Sequence, residues 1–201
     1  MLFVLLPLLG YLLGSLSSAV LVSRTLGLAD PRTTGSRNPG ATNVLRIGGK
    51  RAAVLTLAGD VLKGVVAVVI ARFVTNDPTV LASTALAAFL GHLYPVFFGF
   101  RGGKGVATAL GVWLALVPVA GALMLATWLL VALVFRYSSL AALIAAFMAP
   151  LYIWWLVPFA AYVVVAVAMT ALLIWRHRSN IRNLWIGTET KIGAAKPARA
   201  P

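Results

Sequence analysis

The chain has 201 residues, of which 61% are hydrophobic and 10% are charged, a composition that excludes an ordinary soluble domain and indicates a polytopic membrane protein. Lys and Arg number 17 against 4 acidic residues, and because they lie between apolar runs, the excess indicates the positive-inside rule rather than nucleic-acid binding. Cysteine is absent and acids are few, which excludes disulfides, a cysteine nucleophile and a metal cage of protein carboxylates.

The first half of the chain alternates apolar runs with polar breaks. Residues 24–51 are rich in Gly, Pro, Asn and Thr and are predicted to form a polar loop. A turn is predicted at 76–78 and a short basic loop at 100–105. Gly10 and Gly14 predict close helix packing by the first run. Each run between these breaks can cross about 30 Å of hydrocarbon, which predicts three spans: 2–22, 52–74 and 79–98.

Two longer apolar stretches make up the second half. The stretch 106–135 would form a helix of about 45 Å, which exceeds one span, and Pro118 favours a break within it. The stretch 139–175 is longer still and is predicted to fold back near Pro158. The chain is therefore expected to make about seven membrane passes, some of them short, with roughly five as the alternative.

The positions of the basic residues favour seven passes with the N-terminus outside. In that arrangement both basic loops, Arg136 and the C-terminus lie on the cytoplasmic side, whereas five passes would place Arg136 outside. The expected fold is an all-α polytopic membrane protein. Residues 1–190 are expected to form a single integral membrane domain, and residues 191–201 a basic, disordered tail.

Three polar clusters carry residue types that are typical of phosphate sites. The first spans 35–46, where Gly40 and its neighbours let backbone N–H groups form a concave anion-binding nest. Ser36 and Asn43 add neutral hydrogen-bonding groups, and Arg46 adds charge. An ordinary polar loop that binds nothing is the alternative interpretation of this cluster.

The second cluster spans 91–106 and contains Lys104 among glycines. Gly102 and Gly103 would let a phosphate approach the backbone, and a helix that starts directly after the cluster would add a positive partial charge. The spacing differs from that of a P-loop, which excludes a nucleoside triphosphatase of that kind. For His92, a structural hydrogen-bonding role and a substrate contact are equally open.

The third cluster spans 176–182. His177 and Asn180 are three residues apart and therefore share a helix face, and histidine is the natural acid–base group at neutral pH. A tail of arginines that ends the last span is the alternative. Within the second predicted span, Asp60 and Lys63 are expected to form an ion pair, because isolated charges are costly in hydrocarbon.

The three clusters together resemble, in order and spacing, the motifs of the bacterial membrane glycerol-3-phosphate acyltransferases of the PlsY type. The resemblance covers essentially residues 1–190 and departs from the family pattern at two positions. Arg37 stands where members often have Gly, and Arg182 is shifted by one residue from the family's arginine. The matching strings are 35–43, 91–108 and 177–181.

The resemblance implies transfer of a fatty acyl group from acyl phosphate to the 1-hydroxyl of glycerol 3-phosphate, which gives lysophosphatidic acid and inorganic phosphate in the first step of phospholipid synthesis. The expected partners are these two substrates, membrane lipids and the enzyme that makes acyl phosphate. No cofactor, metal or nucleic acid is expected. The expected location is the bacterial cytoplasmic (inner) membrane, with the active site on the cytoplasmic side.

The resemblance and the chemistry of acyl phosphate suggest roles for individual residues. His177, Ser36 and Lys104 are expected to be catalytic, with His177 orienting substrate or serving as base. A substrate phosphate could take the proton instead. Substrate and phosphate binding is expected from Arg46, Asn43, Ser139, Asn180, His92, Gly40, Gly102 and Gly103.

Two other classes of function compete with the acyltransferase. A transporter of phosphate or an organophosphate would need a site at the membrane midplane, and internal repeats are typical of that class, but the sequence contains no repeat. A binding or scaffold protein would not need glycines beside basic residues in separate loops.

Overall fold

The computed structural model describes residues 1–193, and every regular element in that range is helical. The predicted all-α architecture is therefore confirmed. A single 3₁₀ turn, Val96–Phe98, follows α4. The α-helices, in chain order, are α1 (Leu2–Gly14), α2 (Ser18–Thr25), α3 (Ala41–Val74), α4 (Pro78–Leu93), α5 (Val106–Leu116), α6 (Pro118–Phe135), α7 (Ser138–Leu156), α8 (Ala160–Arg176) and α9 (Arg178–Trp185).

Five helical segments of the described range, two of them formed by consecutive helices, are long and apolar enough to cross a membrane. Helices α8 and α9 are bent by 59° relative to each other and can be counted together as a sixth span. The apolar helix α5 has 11 residues, and its length of about 16 Å is shorter than the hydrocarbon core. Length and hydropathy thus give five or six spans in the described residues, and the seven expected passes would require α5 as a short one. The five segments that qualify as spans without α8 and α9 are Leu2–Thr25, Ala41–Val74, Pro78–Phe98, Pro118–Phe135 and Ser138–Leu156.

Proline places the breaks in the second half, as predicted. Helix α5 ends at Leu116 and α6 begins at Pro118, because proline lacks the N–H that a continuing helix needs but fits a first turn. Helix α7 ends at Leu156, and α8 begins at Ala160 after the predicted reversal near Pro158.

The polar segment 24–51 differs from the prediction, because its second part is helical. Helix α3 begins at Ala41 rather than near residue 52, and Gly49 interrupts it with a φ of 77°. That conformation favours glycine. The kink separates a short helix, which carries Asn43 and Arg46, from the long apolar helix that follows.

Close packing of α1 against α4 depends on glycine, as the first run predicted. A Cβ at Gly14 would lie 2.0 Å from the carbonyl oxygen of Ala88, and one at Gly91 would lie 2.2 Å from that of Tyr11. Small residues thus let the two backbones touch. This contact positions the end of α4, which leads through the 3₁₀ turn Val96–Phe98 to the glycine-rich loop 99–105.

The C-terminal segment is partly outside the described range. Of the predicted tail 191–201, only residues 191–193 are described, and the Ile192 N–H donates to the Arg136 carbonyl at 2.6 Å. The Arg136 Nη2 donates in return to the Ile192 carbonyl at 3.1 Å. The division into a domain of residues 1–190 and a disordered tail stays a prediction.

The side of the membrane that Arg136 faces also stays a prediction, and cysteine labelling can test it. The chain has no cysteine, so Arg136→Cys supplies a unique site at an exposed residue. Because basic loops favour the cytoplasm, we expect an impermeant thiol reagent to label it in inverted vesicles and not in spheroplasts. Asp77→Cys, in the turn predicted to lie outside, should give the opposite pattern. Labelling of residue 136 in spheroplasts would contradict the topology.

Candidate active site

Hydrogen bonds connect the segments that carry the three predicted clusters. The Arg32 Nη1 donates to the Phe98 carbonyl at 3.2 Å, which links the loop before α3 to the turn after α4. The Arg176 guanidinium at the end of α8 donates to the Gly102 carbonyl at 2.7 Å and the Gly103 carbonyl at 3.2 Å. The clusters therefore meet where α3 and α5 begin and where α4 and α8 end.

A chain of polar side chains runs from Lys104 to α7. The Lys104 Nζ donates to Asn180 Oδ1, and Asn180 Nδ2 donates to Glu189 Oε1 at 2.7 Å. Ser139 Oγ at the start of α7 donates to the same Glu189 oxygen at 2.6 Å. Glu189, which the sequence did not single out, thus joins two of the predicted site residues, Asn180 and Ser139, and Asn180 links them to Lys104.

Charges around Lys104 and its burial change its proton affinity. Burial is the main cause that lowers the pKa of Lys104 below the usual lysine value, while the Glu189 carboxylate opposes this shift. The positive charges of Arg176 and Arg46 lower the pKa further. Lys104 is therefore a partly desolvated cation whose charge is less screened than that of a surface lysine.

His177 occupies the bend between α8 and α9 and is buried, with 3% of its surface exposed. Its Nδ1 lies 2.8 Å from the Leu173 carbonyl oxygen. Because a carbonyl oxygen only accepts, Nδ1 carries the proton in this contact. In the neutral form of the ring, Nε2 is then the nitrogen that can accept a proton.

Asn43 stabilises the conformation of the loop before α3 through side-chain hydrogen bonds. Its Oδ1 accepts from the Ser36 N–H at 2.8 Å, and its Nδ2 donates to the carbonyls of Pro31 at 2.9 Å and Thr34 at 3.0 Å. The side chain is buried. Asn43 therefore positions the backbone at Ser36.

Ser36 and Arg46 are exposed at the surface of the first cluster. Within residues 1–193, no hydrogen bond joins either side chain to Lys104 or His177. The Pro39 carbonyl oxygen lies 2.8 Å from the place that a Cβ at Gly103 would take. The first and second clusters are therefore packed against each other, with Ser36 and Arg46 open to solvent beside them.

His92 packs against the glycine-rich loop 99–105. Its Nδ1 lies 3.2 Å from Thr108 Oγ1 and 3.5 Å from Asp60 Oδ1. A Cβ at Gly103 would lie 2.3 Å from His92 Nε2, and one at Gly102 would lie 2.1 Å from the His92 carbonyl oxygen. Of the two roles left open for His92, this geometry favours the structural one.

The remaining glycine and the buried ion pair also have clear structural roles. Gly40 is the N-cap of α3 in an extended conformation, and its N–H donates to the Asn38 carbonyl at 3.0 Å. The predicted pair of Asp60 and Lys63 is present, with 3.0 Å between carboxylate and ammonium. Lys63 Nζ also donates to the Leu16 carbonyl at 2.8 Å, which ties α3 to the first span.

Arg176 is a site residue that sequence reasoning missed. Besides its two bonds to the glycine-rich loop, its guanidinium lies 5.8 Å from the centre of the Tyr94 ring, a cation–π contact. Its position next to His177 could have indicated a role in the site. The sequence around it is equally typical of a basic tail that ends the last span, so Arg176 was not selected.

The helical bundle and its cationic centre define a polytopic membrane protein suited to anionic substrates, either an enzyme or a carrier. The sequence model of the glycerol-3-phosphate acyltransferase family matches residues 4–187. Curated relatives of that name include one from Methylococcus capsulatus, 56% identical over 186 residues, which cover 92% of this chain and 94% of the relative. Another, from Thioalkalivibrio sulfidiphilus, is 57% identical over 183 residues, covering 91% and 90%.

Solved structures agree with these matches. A crystal structure of PlsY, an integral membrane glycerol 3-phosphate acyltransferase in its glycerol 3-phosphate form, matches with a TM-score of 0.91 at 42% identity, over 95% of this chain and 96% of that one. The lysophosphatidic acid form matches with a TM-score of 0.88 at 41% identity, over 95% of each chain. The chain therefore belongs to the glycerol-3-phosphate acyltransferase family of the PlsY type. The predicted resemblance and the integral membrane fold are confirmed, and the transporter alternative finds no support.

Proposed function

We propose that the protein transfers a fatty acyl group from acyl phosphate to the 1-hydroxyl of glycerol 3-phosphate, releasing inorganic phosphate and forming lysophosphatidic acid. The main support is the convergence of Lys104, Asn180, Ser139 and the glycine-rich loop beside His177 in a member of this family. The two PlsY structures, in glycerol 3-phosphate and lysophosphatidic acid forms, fit the acceptor and the product.

The donor fits the chemistry of the site. Acyl phosphate is an activated mixed anhydride, so the enzyme needs only to position the hydroxyl and to stabilise developing charge. The substrate oxygen bonds to the acyl carbon while the carbon–oxygen bond to phosphate breaks. Lys104 and Arg46 supply positive charge for the phosphate groups, and Ser36, Asn180 and Ser139 supply hydrogen bonds.

The hydroxyl proton has two possible acceptors. His177 Nε2 is free to take it, because the contact of Nδ1 with the Leu173 carbonyl fixes the ring orientation and tautomer. A phosphate oxygen of a substrate is the other acceptor. Asn43 and His92 contribute by holding the Ser36 backbone and the glycine-rich loop in place.

The acyl chain requires an apolar surface next to the polar centre. The helix α3, which carries Arg46 near its start, presents an open apolar surface over residues 54–65, with about 490 Å³ of space against it. An apolar helix face that is open to lipid suits a fatty chain that arrives from the bilayer. We propose that the acyl chain lies there, with the phosphates on the predicted cytoplasmic side.

The decisive assay uses purified protein in detergent or lipid cubic phase with acyl phosphate and glycerol 3-phosphate. We expect inorganic phosphate and lysophosphatidic acid to form in equal amounts, and only when both substrates are present. Acyl-CoA and acyl carrier protein should not replace acyl phosphate. Equal rates with acyl-CoA would contradict the proposed donor, and phosphate release without glycerol 3-phosphate would contradict acyl transfer.

Glu189 is expected to act as a positioning residue for Asn180 and Ser139. Glu189→Ala removes the shared acceptor of both side chains, and we expect kcat/KM to fall by about tenfold, the cost of misplacing a charge-assisted bond. Adding Ser139→Ala to this variant should cost much less than Ser139→Ala costs alone, because both changes break the same contact. Fully additive effects in this double-mutant cycle would contradict the coupling.

Activity is expected to fall at alkaline pH as Lys104 loses its proton. The pKa of Lys104 is lowered chiefly by burial, so the charged form is complete at low pH and is lost as pH rises through the lowered value. Arginine keeps its charge throughout that range. The alkaline limb of kcat/KM should therefore move to higher pH in Lys104→Arg, whatever its maximum rate. An unshifted limb would assign the titration to another group.

A further inference from the structure

The last described residues fold back from α9 towards the start of α7. Helix α9 is followed by Gly187, which has a φ of 74°, a left-handed conformation that is typical of glycine after a helix. The N–H groups of Thr188 and Glu189 both donate to the Asn183 carbonyl, at 2.8 Å and 3.2 Å. The chain therefore reverses its direction after α9, and we call residues 187–193 the C-terminal strap.

The far end of the C-terminal strap is held by the loop between α6 and α7. The Ile192 N–H donates to the Arg136 carbonyl at 2.6 Å, and Arg136 Nη2 donates in return to the Ile192 carbonyl at 3.1 Å. The Lys191 ammonium lies 5.6 Å from the centre of the Tyr137 ring, a cation–π contact. Two hydrogen bonds and one cation–π contact thus attach the strap to two consecutive residues of this loop.

Between its two attached ends, the C-terminal strap carries a carboxylate into the candidate active site. Glu189 Oε1 accepts from Ser139 Oγ at 2.6 Å and from Asn180 Nδ2 at 2.7 Å. Ser139 lies only three residues after Arg136, so the anchor and the active-site contact are close together along the chain. Because fixing an irregular segment costs conformational entropy, attachment at both ends makes it easier to hold this carboxylate in one position.

We propose that Arg136 is a positioning residue for acyl transfer, because it anchors the C-terminal strap and so keeps Glu189 in the active site. With the strap attached at both ends, the two donors to Glu189 are oriented before substrate binds, which avoids an ordering cost during catalysis. Without the Arg136 anchor, only the end next to α9 holds the strap. The proposal rests on the proposed function, since acyl transfer is the activity that the anchor supports.

The test breaks the anchor in the full chain without changing an active-site side chain. Ile192→Pro removes the N–H that donates to the Arg136 carbonyl, whereas Ile192→Val keeps this N–H and is the matched control. Arg136→Gly removes the guanidinium donor, and glycine is compatible with the φ of 63° at that position. Because positions 136 and 192 are exposed, thermal unfolding should be unchanged in all three variants.

The first readout is the steady-state rate with acyl phosphate and glycerol 3-phosphate. We expect Ile192→Pro and Arg136→Gly each to lower kcat/KM about fivefold, and Ile192→Val to match the parent. In a Glu189→Ala background, Ile192→Pro should change kcat/KM by a factor of less than about 1.5, because the anchor acts through that carboxylate. A general structural role would give the same loss in both backgrounds. Fully additive losses, or parent-like activity of Ile192→Pro, would overturn the proposal.

The second readout is hydrogen–deuterium exchange in detergent, which needs no substrate. We expect the C-terminal strap and the first turn of α7 to exchange faster in Ile192→Pro and Arg136→Gly than in Ile192→Val, with the other helices unchanged. A protein that shows these differences but does not turn over acyl phosphate would refute the proposed function and leave the anchor itself supported. Equal exchange in Ile192→Pro and Ile192→Val would refute the anchor, whatever the activity.

Discussion

Replacing Lys104 by Met is expected to lower kcat/KM for acyl transfer on the order of a thousandfold, the loss typical of removing a preorganised group that stabilises transition-state charge. Lys104 is partly desolvated and touches Asn180, so its charge acts at short range with little screening. Methionine keeps the length and apolar volume of the stem while it removes the cation. The folded structure should therefore survive, and the loss should appear in the chemical step.

The measurement is a steady-state assay of phosphate release, with kcat and KM determined for both substrates. Lys50→Met is the matched control, because Lys50 is an exposed lysine on the same protein and should retain activity. Lys104→Arg, which keeps the charge, should recover part of the rate. If Lys104→Met turned over within a factor of about three of the parent, the assignment of Lys104 to the reacting phosphates would be wrong.

The parts of the fold that sequence predicted correctly are those set by local chemistry. The break at Pro118 follows from the missing N–H of proline, and the close approach of α1 and α4 follows from small residues such as Gly14. The early start of α3 was missed because residues 41–51 have the polar composition of a loop. A helix in that segment needs its own N-cap at Gly40 and packing by Val44, which is fully buried.

In the candidate site, too, the contacts that sequence did not predict are those between residues far apart in the chain. The motifs selected Lys104 and Asn180, and the resemblance with the chemistry of acyl phosphate added Ser139, but neither indicated the residue that joins Asn180 to Ser139. Glu189 lies 9 residues from Asn180 and 50 from Ser139 along the chain, and neither separation corresponds to a helical or strand period. Only the fold of α9 back towards α7 makes the contact. Arg176 was missed for a related reason, because both acceptors of its guanidinium lie more than 70 residues earlier.

Replacing Asp60 by Asn is expected to destabilise the protein by about 3–5 kcal/mol, since it leaves the Lys63 ammonium buried without its partner. Asp60 and Lys63 are 2% and 7% exposed and lie within the apolar span of α3. Asp60 Oδ1 accepts no well-aligned hydrogen bond from the described residues. The ion pair with Lys63 is therefore the main interaction that offsets the cost of burying this carboxylate. Loss of this charge should also weaken the contact between Asp60 and His92. Because His92 packs against Gly102 and Gly103, the glycine-rich loop should become less well positioned.

Thermal unfolding in detergent measures the effect, with Asp77→Asn as the control. Asp77 caps α4 from an exposed position by accepting from the N–H groups of Thr79 and Val80, and asparagine caps equally well. Adding Lys63→Met to Asp60→Asn should restore at least half of the lost stability, because the unpaired charge is then gone. If Asp60→Asn unfolded at the same temperature as Asp77→Asn, or if the double variant were less stable still, the ion pair would not be what compensates these two buried groups.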